Sequence, residues 1–448
     1  MYKKFFYGIG SLGYSVIGQT ISNFFMFFAT SVLGLKGVFV GVAIAISTIW
    51  DGVSDSIIGF FSDNYRIGKL GKRNGFMLIA TFGMAIFNLL LWIIPININQ
   101  WVKFVWILVS LLLLETFNTM FATPYMALGN DLADSYHDRT KINASKTIFY
   151  LLGIIIPSIL LIIFLPSTEE YPIGQLNPAG YINIAIVTSI ICLIFGLVCS
   201  LTTIPKLKKQ DIEMKHKKFS FSKILKSFSA TFKNKKLRTI IWGYVMTSIA
   251  TVFLCSVGLH FFTYSFFYTS KQITFLLLCL MGGTIISQIL WVWLSKKHSK
   301  KPALILGILL TILSVFGIIT IYLFRIELYN ISYYLMLGLV FVCGIGSGSI
   351  YTLPSSMYGD VIDQISKGND DKTATFGGTL TFASNIANSI TQFVVGVLLD
   401  VIKFDSSLEV QSLGVQTGLA LILFVGVQAS LIVGCSIFAG YKEKKENR

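Results

Sequence analysis

Charged side chains are scarce in this 448-residue sequence: only 13% of the residues are Asp, Glu, Lys or Arg, whereas 54% are hydrophobic. A soluble globular domain carries about 25% charged residues, so roughly half of the usual charge is missing. A soluble protein of this composition could not cover its own surface with polar groups. The scarcity of charge therefore excludes an ordinary soluble domain and indicates that lipid is the solvent for most of the chain.

Cysteine and histidine are also too few and too scattered to build a reactive centre. The six cysteines lie inside apolar runs and lack the CxxC or metal-ligand spacing of a zinc site. The four histidines form no nucleophile–base or metal constellation, so a membrane enzyme is not predicted. The glycine-rich stretch CGIGSGS at 343–349 lacks the lysine of a phosphate loop and is expected instead to let helices approach closely. No cofactor is expected beyond a coupling cation.

The formal net charge of +15 would fit a nucleic-acid-binding protein, but the distribution of the basic residues does not. Lys and Arg fall between apolar runs rather than along a stripe with interleaved aromatics, a distribution typical of basic cytoplasmic loops. We therefore expect neither a nucleic-acid partner nor an obligate protein partner. The expected partners are a small-molecule solute and membrane lipid, with the monomer as the functional unit.

Twelve apolar runs are long enough to cross about 30 Å of hydrocarbon as helices, which takes roughly 20 residues each. They lie near 5–29, 38–61, 76–97, 101–124, 146–165, 181–204, 239–262, 273–294, 303–324, 331–353, 376–402 and 414–440. The first run lacks the cleavage site of a signal peptide and is interpreted as a membrane helix. The sequence predicts an all-α, multi-pass protein of the plasma membrane with twelve transmembrane helices.

The loops between these runs predict the orientation of the chain. Basic residues concentrate in loops 62–75, 205–238 and 295–302 and in the C-terminal tail, whereas loop 166–180 contains no Lys or Arg. The positive-inside rule places basic loops in the cytoplasm. Both termini are therefore predicted to be cytoplasmic, as an even number of helices requires.

Segment 205–238 carries twelve Lys or Arg residues against two acidic ones and divides the chain in two. We predict an N-terminal six-helix half (1–204), a basic cytoplasmic linker (205–238) and a C-terminal six-helix half (239–448). The linker suits either a solvated tether on an anionic leaflet or a regulatory segment. This layout resembles the major facilitator fold, in which substrate is expected between the halves near mid-membrane.

Carboxylates within membrane helices mark candidate functional residues, because insertion of a charge costs roughly 2.5–3.5 kcal/mol. Asp51 and Asp55 in the second run are spaced i,i+4, which places both on one face of a helix. Two close carboxylates in a low dielectric cannot both stay ionised without a compensating cation. The pair predicts a site for an exchangeable cation, Na⁺ or H⁺. Alternatively, one aspartate caps a break in the helix or pairs with the basic loop 62–75.

Glu115 in the fourth run could join this cation site, relay a proton or bond to a neighbouring helix. Thr119 follows four residues later, and its oxygen, like that of Asn118, could complete a cation shell. Hard cations favour several oxygen ligands. The candidate cation ligands are therefore Asp51, Asp55, Thr119 and Glu115.

Neutral polar side chains recur at helical spacing on the first and eleventh runs. Amides both donate and accept hydrogen bonds, which suits a hydroxyl-rich or zwitterionic solute, although they could equally bond between helices. The candidates for a solute cavity in these runs and the fourth are Gln19, Asn23, Asn118, Asn385, Asn388 and Gln392. His260, toward the outer end of the seventh run, is expected to reach water.

Three sequence motifs occur in order over nearly the whole chain. They are IWDGVSDSIIGFFSDNYR followed by GKLGKRNGFML, TPYMALGNDLADSYHDRTKI, and SSMYGDVIDQISKGNDDKTATFGGTLTF. They resemble, respectively, the helix-two signature with its basic loop, the motif after helix four, and its second-half counterpart in the glycoside–pentoside–hexuronide:cation symporters. That family is a branch of the major facilitator superfamily and includes the melibiose carrier.

This resemblance implies roles for several residues. Asp51 and Asp55 would be ligands of the coupling cation, which is Na⁺, H⁺ or Li⁺ in the family, and Thr119 would supply another oxygen. Salt bridges among four charges would close the cytoplasmic face: Asp131, Arg139, Asp360 and Asp363. The alternative for these four is ordinary solvation of loop charges.

The chain departs from the sugar-carrying members of that family at the solute end. Tyr14 and Ser15 stand where those members have a lysine–aspartate pair. Ala122 and Met126 replace a sugar-binding aspartate and an aromatic residue, and Asn385 replaces a lysine. Two acids and two bases have become neutral together, which keeps the charge balanced but removes the strongest acceptors for sugar hydroxyls. Tyr14 is therefore added to the candidate solute cavity.

The sequence as a whole predicts a secondary active transporter that works by alternating access. The main hypothesis is cation-coupled symport of a small solute, by family default a sugar or glycoside. The alternative is a major facilitator carrier of a non-sugar cargo, such as a lysolipid, a peptide-like product or a drug, which could also be an exporter.

Overall fold

The chain forms a succession of helices. The structure, a computed structural model, describes residues 2–65, 67, 73–132, 136–204, 231–366 and 370–441, and no β-strand occurs in these ranges. The described chain contains α1 (Tyr2–Thr20), α2 (Gly37–Asn64), α3 (Asn74–Trp92), α4 (Gln100–Asp131), α5 (Tyr136–Phe164), α6 (Pro178–Thr202), α7 (Lys235–Ser265), α8 (Ser270–His298), α9 (Lys300–Leu323), α10 (Ser332–Ser366), α11 (Asp370–Val401) and α12 (Leu413–Ala439). Within a helix, the backbone N–H and C=O groups bond to one another, which is required in lipid because no water is present to pair with them.

Eleven of these helices, α2 to α12, are long and apolar enough to cross a membrane, judged by length and composition within the described ranges. The first helix continues beyond α1 through two π-helical turns, Ile21–Phe25 and Phe28–Val32, and so also covers the predicted run 5–29. The predicted all-α membrane fold is confirmed. The cytoplasmic orientation of the termini stays a prediction.

Several helices are longer than the apolar runs that predicted them. Helix α4 continues to Asp131 although its run ends near 124, and α10 continues to Ser366 although its run ends near 353. Hydropathy registers only the part of a helix that lies in hydrocarbon, whereas the backbone hydrogen bonds continue into the polar zone. The predicted ends were wrong by up to about three and a half turns for this reason.

Two compact units divide the chain. The first comprises Met1–Phe219 together with Phe404–Glu409, and the second comprises Ser220–Lys403 together with Val410–Arg448. The short segment between α11 and α12 therefore packs with the first unit, where Ser406 lies against Gly34. Gly34 has a φ of +62°, a left-handed conformation that favours glycine. The extent of the predicted linker stays a prediction, because most of it lies outside the described residues.

In the first unit, the C-terminal part of the first helix is enclosed by aromatic side chains. Phe25 and Phe28 lie against Trp92 of α3, and the Trp92 ring stacks on Tyr181 of α6 with 5.7 Å between centroids. Asn88 joins α3 to α6: its side-chain amide donates to the carbonyl oxygen of Ala185 and to two hydroxyls of α6. Buried polar groups paired in this way hold the helices in one register.

In the second unit, the glycine-rich stretch lies in α10 and packs closely on two neighbouring helices. A Cβ atom at Gly344 would collide with the backbone of Leu280 in α8, and one at Gly346 would collide with Gly307 and Thr311 in α9. Glycine lets the backbones approach at these points. The expectation of close helix contact at 343–349 is confirmed.

Candidate functional site

The two aspartates of α2 lie beside two threonines of α4. Thr119 donates a hydrogen bond from Oγ1 to Oδ1 of Asp51 at 2.9 Å, and Thr123 donates to Oδ1 of Asp55 at 3.1 Å. Both pairs are 68 residues apart in the chain, so α2 and α4 run in the same direction in this region. The i,i+4 spacing on each helix brings the two pairs one turn apart on facing surfaces.

Ser54 completes this contact from the buried side. Its hydroxyl lies 3.2 Å from Oγ1 of Thr119 and 3.0 Å from the carbonyl oxygen of Asp51. Ser54 is 2% exposed and Thr119 is 1% exposed, whereas the two aspartates are only partly buried. The hydroxyl network therefore forms the floor of the site, and the carboxylates face its more accessible side.

The ligand chemistry of this site consists of oxygen atoms alone. Carboxylate and hydroxyl oxygens are the ligands that hard cations prefer, and a carboxylate also accepts a proton. No ion pair with a described residue neutralises Asp55. The arrangement suits a monovalent cation held between the two carboxylates.

Glu115 lies in the same helix as the two threonines but has a separate partner. Asn118 donates from Nδ2 to Oε2 of Glu115 at 3.2 Å, and Trp50 of α2 donates from Nε1 to Thr116 at 2.8 Å. Among the described residues, no group of three or more His, Cys, Asp or Glu side chains lies close enough to hold a metal ion. A direct role for Glu115 as a cation ligand therefore stays a prediction.

The sequence analysis missed two members of this site, Thr123 and Ser54. A threonine in a membrane helix often bonds to the backbone of its own helix, as Thr48 of α2 does to the carbonyl oxygen of Ile44. The available signal was spacing: Thr123 follows Thr119 by four residues, as Asp55 follows Asp51.

The predicted cavity residues of the first helix fall into two groups. Gln19 donates from Nε2 to Oδ1 of Asn23 at 2.8 Å, and Nδ2 of Asn23 is buried without a hydrogen-bond partner. Tyr14 instead lies in an aromatic cluster with Phe121, Tyr125 and Tyr150, at centroid distances of 5.9 to 6.1 Å. Tyr14 therefore belongs to the aromatic cluster, whereas Gln19 and Asn23 bond to each other.

Lys146 of α5 lies beside this aromatic cluster. Its Nζ is 5.9 Å from the centroid of the Tyr125 ring, and its side chain is partly buried. The sequence analysis overlooked this cation because it stands at the first position of the apolar run 146–165. Ser15 is the residue after Tyr14 in the sequence. Its hydroxyl donates to the carbonyl oxygens of Leu12 and Tyr150.

The predicted polar face of α11 lies in the second unit, where part of it contacts α7. Ser256 of α7 donates to Oε1 of Gln392 at 3.0 Å, and Oδ1 of Asn388 is buried without a partner. The carbonyl oxygen of Asn385 accepts from Ser389 within the helix. His260 is 0% exposed, with Nδ1 3.2 Å from the carbonyl oxygen of Ser256, so the prediction that it reaches water was wrong.

Of the four predicted gating charges, the structure describes the side chain of Asp360. It forms an ion pair with Lys300, the first residue of α9. The side chains of Asp131, Arg139 and Asp363 lie outside the described residues, so pairing among the four stays a prediction.

The chain is similar in sequence to known transport proteins. A family profile described as MFS/sugar transport protein matches residues 6–443. The chain is 23% identical over 100% of its length, and 87% of the relative's, to the Sodium-dependent lysophosphatidylcholine symporter 1-A of Danio rerio. It is 22% identical to the Isoprimeverose transporter of Lactiplantibacillus pentosus, over 69% of this chain and 62% of the relative.

A solved structure shares the fold. The crystal structure of the nucleoside transporter NupG matches with a TM-score of 0.66 at 15% identity, covering 99% of this chain and 100% of that one. With the succession of apolar helices, this likeness confirms the predicted major facilitator fold. The narrower resemblance to the melibiose-carrier branch stays a prediction.

Proposed function

We propose sodium-coupled symport as the activity of this chain, which belongs to the family of MFS/sugar transport proteins. Family and fold make it a transporter rather than an enzyme, and a multi-pass membrane protein. The observation that carries the proposal is the pair of carboxylates, Asp51 and Asp55, each of which accepts a hydrogen bond from a threonine of α4.

The cation would act through the charge of this pair. Without a bound cation, Asp51 and Asp55 repel each other across one helical turn in a medium of low dielectric. A bound Na⁺ removes that repulsion and links α2 to α4 through the oxygens of both helices. Symport would require that one conformation of the carrier binds the ion more tightly than the other, because a ligand shifts a conformational equilibrium only through such a difference in affinity. The oxygen ligands suit either ion, and the similarity to a sodium-dependent symporter supports Na⁺ over H⁺.

For the cargo, we infer an amphipathic solute with an anionic group, of which a lysophospholipid is the leading example. Lys146 offers a positive charge beside the aromatic surface of Tyr14, Tyr125 and Tyr150. A phosphate could pair with the ammonium group while apolar chain contacts the rings. The full-length similarity to a lysophosphatidylcholine symporter supports this cargo.

A sugar or glycoside is the second candidate. The family description and the similarity to an isoprimeverose transporter favour it. The amides of Gln19 and Asn23 could serve hydroxyl groups, and Nδ2 of Asn23 is a buried donor without a partner. The two cargoes differ in their need for Lys146, because a neutral sugar gains no charge pairing from it.

Uptake into proteoliposomes tests the coupling. With an inward Na⁺ gradient, we expect Asp55→Asn to raise the half-saturating Na⁺ concentration at least about tenfold, equivalent to roughly 1.4 kcal/mol. Asp405→Asn, in the loop between α11 and α12, is the matched control and should leave it unchanged. Unaltered Na⁺ dependence of uptake in the Asp51→Asn, Asp55→Asn double variant would overturn the proposal. If a proton gradient drove the same uptake without Na⁺, the coupling ion would be H⁺ instead.

The same vesicles test the cargo. A fluorescent lysophosphatidylcholine that albumin can extract from the outer leaflet reports its movement, and a radiolabelled glycoside reports sugar uptake. We expect Lys146→Met to abolish movement of the lysolipid, and Lys141→Met, an exposed lysine on the same helix, to leave it intact. Saturable, Na⁺-driven uptake of the glycoside with no movement of the lysolipid would replace the first candidate by the second.

A further inference from the structure

The connection between α9 and α10 in the second unit exposes large apolar side chains. Ile326 is 83% exposed and Tyr329 is 80% exposed, and Tyr334, near the start of α10, is exposed as well. Apolar side chains that are exposed together mark contact with a membrane or with another protein. The loop between α5 and α6 differs, because its exposed residues include Glu169 and Glu170.

The backbone of this connection is folded into hydrogen-bonded turns. The N–H group of Leu328 donates to the carbonyl oxygen of Phe324 at 2.9 Å, and that of Ser332 donates to the carbonyl oxygen of Leu328 at 2.7 Å. The N–H group of Tyr329 donates to the carbonyl oxygen of Ile326 at 3.4 Å. Backbone groups that bond to one another need no water, so this segment can lie at the boundary between headgroups and acyl chains.

The exposed side chains continue one side of α9. Leu313, Phe316 and Leu323 are exposed on this helix, which is long and apolar enough to cross a membrane. They follow one another by three and seven residues, a spacing that keeps them on one side of the helix. Ile326 follows Leu323 by three residues and extends this line beyond the end of α9. The lipid that covers this side of α9 therefore also reaches the connection.

Arg325 places a positive charge beside these apolar side chains. Cζ of its guanidinium lies 4.3 Å from the centroid of the Tyr322 ring, and Nη1 donates to the carbonyl oxygen of Tyr322 at 3.2 Å. Tyr322 is buried, so the contact holds the guanidinium at the end of α9. A guanidinium carries several N–H donors and can bind a phosphate oxygen in addition to a carbonyl. Apolar residues with an arginine and tyrosines beside them are typical of the membrane interface.

We propose that the α9–α10 connection, residues 324–331, is a membrane-interface anchor whose partner is the phospholipid of the surrounding leaflet. Ile326 and Tyr329 insert among the acyl chains, and Arg325 binds a phospholipid phosphate. Glu327, roughly 100° further round the turn than Ile326, faces water. With the predicted orientation of the termini, this is the leaflet away from the cytoplasm. The anchor does not depend on which ion or cargo the protein carries.

Spin labels on the full-length protein in nanodiscs of phosphatidylethanolamine and phosphatidylglycerol test this placement. Ile326→Cys, Tyr329→Cys and Glu327→Cys are labelled one at a time, and the unsubstituted protein measures labelling of the native cysteines. Power saturation compares the access of oxygen, which concentrates among acyl chains, with that of a water-soluble nickel chelate. We expect oxygen access to exceed nickel access at the first two positions and the reverse at the third. Glu169→Cys, in the loop between α5 and α6, is the control in water.

Two results would overturn the anchor. Preferential access of nickel at the positions of Ile326 and Tyr329 would place the connection in water, and low access of both reagents would mean that protein covers it. The labelled side chains are exposed, so these substitutions leave the packed core intact. In the labelled Ile326→Cys protein, Arg325→Gln should shift the label toward nickel access, whereas Arg325→Lys should keep it among the acyl chains. An unchanged depth in the Arg325→Gln variant would overturn the phosphate contact.

Discussion

Lys103 of α4 donates a 2.6 Å hydrogen bond from Nζ to the carbonyl oxygen of Leu33, just beyond the last π-helical turn of the first helix. The lysine is 5% exposed although it lies within a membrane-spanning helix. Gln100, one turn earlier, donates to the carbonyl oxygen of Gly34 at 2.7 Å. Two side chains of α4 thus satisfy carbonyl groups at the end of the first helix, where the helix itself offers no donor.

Replacing this lysine should destabilise the first unit. We expect Lys103→Met to cost about 1–3 kcal/mol, because the carbonyl of Leu33 would stay buried without a donor. Thermal unfolding in detergent measures the effect. Lys36→Met, an exposed lysine nearby, is the control. Equal melting temperatures for the two variants would contradict the prediction.

Thr119 is predicted to act through its hydroxyl rather than its methyl group. Thr119→Val removes the donor to Asp51 and the acceptor for Ser54, so we expect a loss of about 1–3 kcal/mol and weaker stabilisation by Na⁺. Thr119→Ser keeps the hydroxyl and should retain most of both. Melting temperatures across a Na⁺ titration compare the variants. If the serine variant behaves like the valine variant, packing of the methyl group decides instead.

The ion pair between Lys300 and Asp360 should matter more for transport rate than for stability. The side chains of Lys300 and Asp360 are 27% and 50% exposed, respectively. Ion pairs at such exposed positions contribute roughly 0.2–1 kcal/mol to the free energy of unfolding. If the pair gates the carrier, Lys300→Asp or Asp360→Lys alone should slow initial uptake, and the two combined should restore it. Uptake that stays as slow in the double variant as in the poorer single variant argues against gating by this pair.

Outside the membrane helices, Ser407 controls the ionisation of Asp405. The hydroxyl and backbone N–H of Ser407 both donate to Oδ1 of Asp405 and hold the pKa of that carboxyl below its usual range. Because the folded pKa is depressed, any stabilisation is present above the unfolded pKa and is lost as the pH falls through the folded one. Ser407→Ala should raise the pKa toward the ordinary value. NMR titration of ¹³C-labelled aspartate carboxyls measures it, and an unchanged midpoint would refute the assignment.

The sequence predicted the helices and the pair of carboxylates because both depend on local rules. Apolar runs of sufficient length must be helical in lipid, and the spacing of Asp51 and Asp55 places them on one face wherever α2 packs. The partner helix was only partly predictable. Thr119 was predicted from its spacing of four residues after Glu115, and the family resemblance supported it, whereas the contact of Thr123 depends on the relative register of α2 and α4.

Other features arise from contacts between distant parts of the chain. The packing of Phe404–Glu409 with the first unit has no signal in local composition. The π-helical turns of the first helix likewise depend on its neighbours, since nothing in the run distinguishes it from an α-helix. His260 was misplaced because its position near the end of a run was taken as exposure, whereas the surrounding helices bury it fully.

The first helix is enclosed unevenly along its length. Every residue from Phe24 to Ala29 is at most 3% exposed, and the residues from Tyr7 to Gly13 are also buried, whereas Gly18 and Ser22 between these two stretches are exposed. A rod that is held on all sides at two places can neither tilt about one of them nor slide through either. The turns that neighbouring side chains leave free to bend within this unit are therefore those between the two enclosed stretches, around Gly18 and Ser22.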